Sequence, residues 1–269
     1  MSNVSKLDTK YQNKIESRRL WHRLNERFVK AMATYHLIED DDRILVGLSG
    51  GKDSLLLLEL LAKRSRIQHP RFNVEALHVR MENIHYETDT NYLQALCDAL
   101  NVKLHVRTTS FDVEQTTGLQ QLTDTDTSRQ RKQKQPCFLC SWNRRKQLFN
   151  LAQELGCNKI ALGHHQDDLL HTALMNLTFQ SHFATMPARL KMRKMPLTII
   201  RPLCLEQEQD ILDYAKLQGY QQQIKKCPYE HASNRTAITD IFKQLQELNP
   251  EVRYSLWSAL ENEGKLIED

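Results

Sequence analysis

The sequence predicts an α/β fold built on a mostly parallel sheet, with helical extensions at both ends. Three observations predict it. Short apolar runs alternate with stretches of helical periodicity, the pattern of βαβ units. Two of the apolar runs end in glycine-bearing turns that open helices. Only 8 glycines occur in 269 residues, which suits a helix-rich chain.

Residues 11–38 form the first predicted helix, with Leu20, Leu24, Phe28, Met32 and Tyr35 near helical spacing. The acidic run 39–42 breaks it. Residues 43–48 read as a strand, 54–64 as a leucine-rich helix and 72–79 as a second strand. A helix over 88–100 and a third strand over 102–108 follow. The polar stretch 112–135, containing QLTDTDTSRQRKQKQ, reads as a long loop. A helix over 141–155, ended by Gly156, leads to a fourth strand over 159–162. Helices over 167–179 and 206–218 flank extended segments between 186 and 202. Two helical stretches, about 235–248 and 251–263, close the chain. This divides the sequence into a basic helical extension (1–40), an α/β domain (41–220) and a helical tail (221–269).

Hydrophobic residues make up 40% and charged residues 26%, as in globular proteins. No run approaches the ~18 apolar residues of a membrane span. The N-terminus lacks an apolar h-region, so the expected setting is the cytoplasm, with no membrane partner. Disulfides are then unexpected, and the 6 cysteines read as core, metal or catalytic residues. The net charge is only +4, but the basic residues cluster. Lys6, Lys10, Lys14, Arg18, Arg19, Arg23, Arg27 and Lys30 crowd the N-terminal segment. Arg129, Arg131, Lys132 and Lys134 precede a cysteine pair, and Arg144, Arg145 and Lys146 follow it. Arg189, Lys191, Arg193 and Lys194 form a third group. Single clusters are usually solvated helix faces; three together point to nucleic acid.

Ser49-Gly50-Gly51-Lys52-Asp53-Ser54 lies at the end of the first strand and opens a helix. Glycines let backbone N–H groups approach a ligand, and the helix N-terminus favours phosphate. Asp53 beside that phosphate suits a magnesium ion. Neither a Walker A loop nor a dinucleotide fingerprint matches this spacing. Gly163-His164-His165-Gln166-Asp167-Asp168 follows the fourth strand and again puts carboxylates where a helix opens. Alone, such a pair is as well explained by helix capping. Two such motifs on one sheet favour an active site.

Cys137 and Cys140 form a CxxC pair, which leaves a zinc knuckle, a redox pair and a cluster site open. No second pair is present to complete a four-cysteine zinc site. Cys227 is a lone third cysteine in a polar context, whereas Cys97, Cys157 and Cys204 read as core. Three thiolates suit an iron–sulfur cluster with one iron open.

SGGKDS resembles the pyrophosphate loop of the PP-loop ATPases, the N-type ATP pyrophosphatases, which have Rossmann-like folds. With CxxC followed by Arg144-Arg145, then ALGHHQDD, TMPARL, IIRPL and a late cysteine, the series resembles the TtcA family of tRNA 2-thiocytidine synthetases. The resemblance covers roughly residues 15–260. It implies that Ser49, Gly50, Gly51, Lys52, Asp53 and Ser54 hold the phosphates of ATP, with Asp53 on Mg2+. His78 and Val79 would hold the adenine through backbone groups, and Gly163, His164 and Asp168 would complete the ATP site. Lys52, Asp53, Arg144 and Asp168 would be catalytic. Cys137, Cys140 and Cys227 would hold a [4Fe-4S] cluster that delivers sulfur. Arg18, Arg19, Arg144, Arg145, Lys191, Arg193 and Lys194 would bind tRNA.

The implied reaction adenylates the carbon-2 carbonyl oxygen of a cytidine, at position 32, and replaces that oxygen with sulfur. The implied partners are tRNA, a sulfur donor such as a cysteine desulfurase, and a second copy of the chain in a homodimer. Competing readings are a tRNA 2-thiouridine synthetase or another PP-loop tRNA-modifying enzyme. A zinc-stabilised RNA-binding module without catalysis is the reading from a different class.

Overall fold

A computed structural model describes residues 2–82, 86–87, 89–110, 136–221, 224–225 and 234–269. Helix α1 (Ser2–Thr34) leads into β1 (Arg43–Gly47), α2 (Lys52–Arg64) and β2 (Asn73–Met81). A short β3 (Tyr86–Glu87), α3 (Thr90–Leu100) and β4 (Lys103–Thr109) follow. Then come α4 (Pro136–Glu154), β5 (Lys159–Ala161), α5 (Gln166–Gln180), β6 (Arg189–Lys191) and β7 (Thr198–Ile200). The chain ends with α6 (Glu208–Gln218), β8 (Ile224–Lys225), α7 (Asn234–Leu248), α8 (Val252–Asn262) and β9 (Ile267–Glu268).

The main sheet has the order β4-β2-β1-β5-β7-β6-β9. Strands β4, β2, β1, β5 and β7 are parallel, β6 is antiparallel to β7, and β9 is parallel to β6. The α/β expectation holds, and the parallel strands send their carboxyl ends to one edge. Alternation along β1 explains why the sheet is covered on both faces. Ile44 and Val46 enter the larger core with the α2 leucines, Phe28 of α1, Ile211 of α6 and Trp257 of α8. Leu45 enters a second core with Leu151 and Ala152 of α4. Leu20, Leu24 and Phe28 are buried in that larger core, so α1 is packed into the body of the protein. Two ion pairs join α1 to α6: Arg23 and Arg27 lie 2.7 and 2.5 Å from Asp210.

Several boundaries differ from the sequence reading. Helix α1 begins at Ser2 rather than residue 11, because neither glycine nor proline interrupts the segment. Helix α4 begins at Pro136 rather than residue 141, so the CxxC pair lies inside a helix and not on a loop's exit. Proline suits a first helical position, where its missing N–H costs no hydrogen bond. Strands β3, β8 and β9 are two residues each, too short to show any periodicity. The polar stretch 112–135 lies outside the described residues.

Candidate active site

The first strand passes into its turn through Leu48, whose N–H extends the ladder to the Leu77 carbonyl at 2.9 Å. Gly50 takes φ +85°, a conformation open to glycine at little cost. The Ser54 hydroxyl then knots the loop. It accepts from Gly50 N at 3.2 Å and donates to the Gly51 carbonyl at 2.9 Å. Gly51 is the N-cap of α2 and makes no side-chain capping bond. The first turn of α2 therefore presents backbone donors and the positive end of its dipole at the sheet's carboxyl edge, a seat for phosphate.

The second motif packs directly on the first. A Cβ placed on Gly163 would lie 3.1 Å from Asp53 C and 3.1 Å from Ser54 N. Only a residue without a side chain lets the two turns approach this closely. His165 follows, buried, with Nε2 3.5 Å from Asp168 Oδ2 and 4.0 Å from Asp53 Oδ1. The backbone N–H of His165 donates to Asp168 Oδ2 at 3.2 Å, so Asp168 also caps α5. Burial works against a charge on His165. The Asp167 carboxylate, 3.6 Å from Nδ1, and the charges of Asp168 and Asp53 outweigh it and raise its pKa. Asp53 Oδ1 is buried and accepts no well-formed hydrogen bond, with the Lys52 ammonium 3.2 Å away as its ion-pair partner, so a cation between Asp53 and Asp168 would share this oxygen with Lys52. Among the described residues, no group of three His, Cys, Asp or Glu side chains forms a closed metal site.

Lys52 and Asp167 extend the network to α6 and α8. Lys52 Nζ lies 3.2 Å from Asp53 Oδ1 and 3.0 Å from Glu208 Oε1. Burial opposes its charge, but the two carboxylates prevail and raise its pKa. Asp167 Oδ2 accepts from the Glu208 backbone N–H at 2.8 Å, and Asp167 Oδ1 lies 2.5 Å from Arg253 Nη2. Burial would raise the Asp167 pKa, yet nearby His165 and the bonded Arg253 hold it well below the usual carboxylate range.

The PP-loop domain family matches residues 20–245. The chain belongs to the PP-loop family. A relative named tRNA-cytidine(32) 2-sulfurtransferase, from Pelobacter propionicus, is 32% identical over 248 residues, 90% of this chain and 86% of that protein. Another of that name, from Geotalea daltonii, is 32% identical over 245 residues, 90% of this chain and 92% of that protein. Among solved structures, the U34-tRNA thiolase NcsA from Methanococcus maripaludis with its [4Fe-4S] cluster aligns with a TM-score of 0.65 at 25% identity. That alignment covers 88% of this chain and 77% of NcsA.

Within this PP-loop protein the sequence-read residues fall into three groups. Ser49, Gly50, Gly51, Lys52, Asp53, Ser54, Gly163, His164 and Asp168 gather where β1 and β5 end. His78 and Val79 lie on neighbouring β2. His78 Nδ1 donates to the Leu48 carbonyl at 2.8 Å and ties β2 to the loop's root. Burial lowers the His78 pKa, and the nearby Arg144 and Arg80 charges lower it further. The second group is on α4. Cys140 is buried, and exposed Trp142 carries Lys146 Nζ 5.4 Å above its ring. Arg144 is half-buried and Arg145 exposed. Cys137 lies in the first turn of α4, its side chain outside the description, and Cys227 lies outside the described residues.

The third group is separated from the PP-loop. Lys191, Arg193 and Lys194 are exposed around the β6–β7 turn. Lys191 pairs with Thr198, the first residue of β7, so this turn sits at the amino edge of the parallel strands. Arg18 and Arg19 are exposed on α1. The sequence reading quoted His165 and Asp167 within the second motif without giving either its own role, and missed Arg201, Glu208 and Arg253 as site residues. Arg201 is the arginine of IIRPL. Its Nε donates to His164 Nδ1 at 3.3 Å and its Nη1 to the Pro187 carbonyl. A buried arginine between two motifs could have been sought from that quoted motif; Glu208 and Arg253 carried no sequence signal. No helix among the described residues is long and apolar enough to cross a membrane.

Proposed function

We propose that this chain is an ATP-dependent tRNA thiolase that adenylates the carbon-2 carbonyl oxygen of cytidine 32 and replaces that oxygen with sulfur. The observation that carries the reading is the seat of Gly163 on the Asp53–Ser54 backbone, which unites both motifs at one edge of the sheet. The names of the relatives point to the same chemistry.

A carbonyl oxygen on a pyrimidine is a poor leaving group. Its attack on the α-phosphorus of ATP expels pyrophosphate, and the oxygen then departs as part of AMP. In this reading, Lys52 and the first turn of α2 take up charge on the departing pyrophosphate. Asp53 and Asp168, facing each other across His165, would hold Mg2+. The root of β2 at His78 and Val79 would line the adenine side, and Arg144, near His78, would face the nucleotide or the base.

Cys137, Cys140 and Cys227 would hold a [4Fe-4S] cluster. Cys137 and Cys140, three residues apart in the first turns of α4, share one helix face and so suit chelation. Lys225, two residues before Cys227 in the sequence, pairs with Tyr86 of β3. When bound, the cluster supplies the sulfur. The tRNA would lie across Arg145 and the exposed face of α1 with Arg18 and Arg19, and its base would be splayed into the site. Residues 41–220 would be the catalytic domain, flanked by helical extensions at 1–40 and 221–269. A cysteine desulfurase-type donor and a homodimer complete this reading.

The deciding experiment is mass spectrometry of tRNA nucleosides from a deletion strain carrying wild type or Asp53→Ala. Wild type restores 2-thiocytidine and Asp53→Ala does not. Normal 2-thiocytidine in the deletion strain would overturn the reading, and a lesion confined to 2-thiouridine would move it to the uridine alternative. Anaerobically purified protein holding zinc and no iron would overturn the cluster assignment.

A further inference from the structure

Lys52, the cation of the phosphate loop, is already engaged. Glu208 Oε1 sits 3.0 Å from its ammonium and Asp53 Oδ1 sits 3.2 Å from it. Glu208 is the first residue of α6, 156 positions further along the chain. Its backbone N–H is fixed by Asp167 Oδ2 at 2.8 Å, so one carboxylate from the first turn of α5 receives the first turn of α6. Asp167 is itself clamped from α8. Arg253 Nη2 lies 2.5 Å from Asp167 Oδ1, and Arg253 Nη1 donates to Gln166 Oε1 at 3.1 Å. The Gln166 backbone N–H in turn bonds the Glu206 carbonyl at 2.8 Å, a second tie between the two helix starts.

Both oxygens of Asp167 are therefore engaged by the protein, Oδ2 by the Glu208 N–H and Oδ1 by Arg253. The chain of contacts runs from Arg253 through Asp167 to the α6 terminus, and from Glu208 to Lys52. We propose that Glu208 is a latch on Lys52, held in register from the C-terminal helix by Arg253 through Asp167. The proposal rests on the reading of the SGGKDS loop as an ATP site. The incoming triphosphate must displace Glu208 from Lys52 before the ammonium can serve the phosphates. Glu208 and Arg253 are positioning residues in this scheme and touch no reacting atom.

The Arg253 variant separates the latch from plain electrostatics. Removing Arg253 takes away a positive charge, which by long-range effect alone would weaken binding of an anionic nucleotide. Through the latch it releases Glu208's grip on Lys52 and tightens binding. The test is ATP affinity by titration calorimetry on full-length wild type, Glu208→Gln, Arg253→Gln, the double variant, and Asp213→Asn as a control for charge elsewhere on α6. Lys52 and Glu208 side chains are 24% and 51% exposed, so the effect is that of a partly solvated pair. Glu208→Gln is expected to tighten ATP about two- to fivefold. Arg253→Gln tightens it in the wild-type background and has no effect when Glu208 is already glutamine, while Asp213→Asn leaves affinity unchanged.

Unchanged or weaker binding in Glu208→Gln overturns the latch. An Arg253→Gln effect of the same size in both backgrounds removes Arg253 from it. If Arg253→Gln does not fold, Arg253→Lys, which keeps the charge and loses the two-pronged grip, gives the same cycle. Wild type that binds no ATP would overturn the ATP reading itself, an outcome separate from equal affinities in wild type and variant.

Discussion

One imidazole joins the carboxylates of the two motifs: His165 Nε2 lies 3.5 Å from Asp168 Oδ2 and 4.0 Å from Asp53 Oδ1. Burial disfavours the charged ring, and the surrounding carboxylates more than offset this. The His165 pKa is therefore expected above its ordinary 6.5 by NMR titration, and lower in Asp168→Asn than in wild type. The sign for stability follows. Protonated His165 stabilises the fold fully below 6.5, and that contribution is lost as pH rises through the elevated folded value. A wild-type value at or below 6.5 would refute the arrangement.

Gly163 is the point where the motifs touch, so Gly163→Ala should damage both. Its new methyl would meet the Asp53 carbonyl carbon and the Ser54 nitrogen at 3.1 Å, and backbone cannot swing aside as a flexible side chain can. The loop must shift by tenths of an ångström. We expect a loss of about 1–3 kcal/mol in urea unfolding together with weakened ATP binding by calorimetry. ATP affinity equal to wild type would show that the loop tolerates the shift.

The strands β1 and β5 and their two turns were legible because each has a local signature, an apolar run ending where a glycine-bearing turn opens a helix, while β2, β4 and β7 were legible only as short apolar or extended stretches. What was not legible is set by tertiary contact. His164 and His165 are adjacent in sequence, but His165 is extended at φ −108° and ψ 177° and turns its ring between the carboxylates, while His164 turns to Arg201. Glu208 and Arg253 look like ordinary helix-surface charges until α6 and α8 pack against α5. The cluster Lys191, Arg193 and Lys194 reads like the other basic groups, yet the antiparallel turn into β7 carries it to the far edge of the sheet. Strand polarity cannot be read from charge.

Arg201 should be a structural keystone between His164 and the segment before β6. It is buried, and burial together with the nearby charge of Arg145 brings its pKa down to about 10, so it stays charged at neutral pH. Arg201→Met leaves the Pro187 carbonyl and His164 Nδ1 without this donor. A loss of about 1–3 kcal/mol is expected in denaturant unfolding. A variant as stable as wild type would mean that water or a neighbouring donor replaces the guanidinium.

Glu206 sets a pH limit on stability. Its side chain is fully buried, neither carboxyl oxygen accepts a hydrogen bond, and the nearest cation, Arg27 Nη1 at 3.6 Å, already serves Asp210 at 2.5 Å. Burial pushes the Glu206 pKa up from 4.5 to about 8; Arg27 opposes the shift and Asp210 adds to it. Between those two values the unfolded chain has released the proton and the folded chain still holds it. The folded state then binds more protons, so stability falls as pH rises, with a slope approaching about 1.4 kcal/mol per pH unit. Below 4.5 the group contributes no pH dependence, and above about 8 the penalty is complete. Glu206→Gln and Glu206→Met cannot ionise, so the difference in unfolding free energy between wild type and either variant should shift against wild type from pH 5 to pH 8. Subtracting the variant cancels the contributions of the other titrating groups. A wild-type-minus-variant difference that stays flat from pH 5 to pH 8 would mean that Glu206 has an ordinary pKa and is solvated.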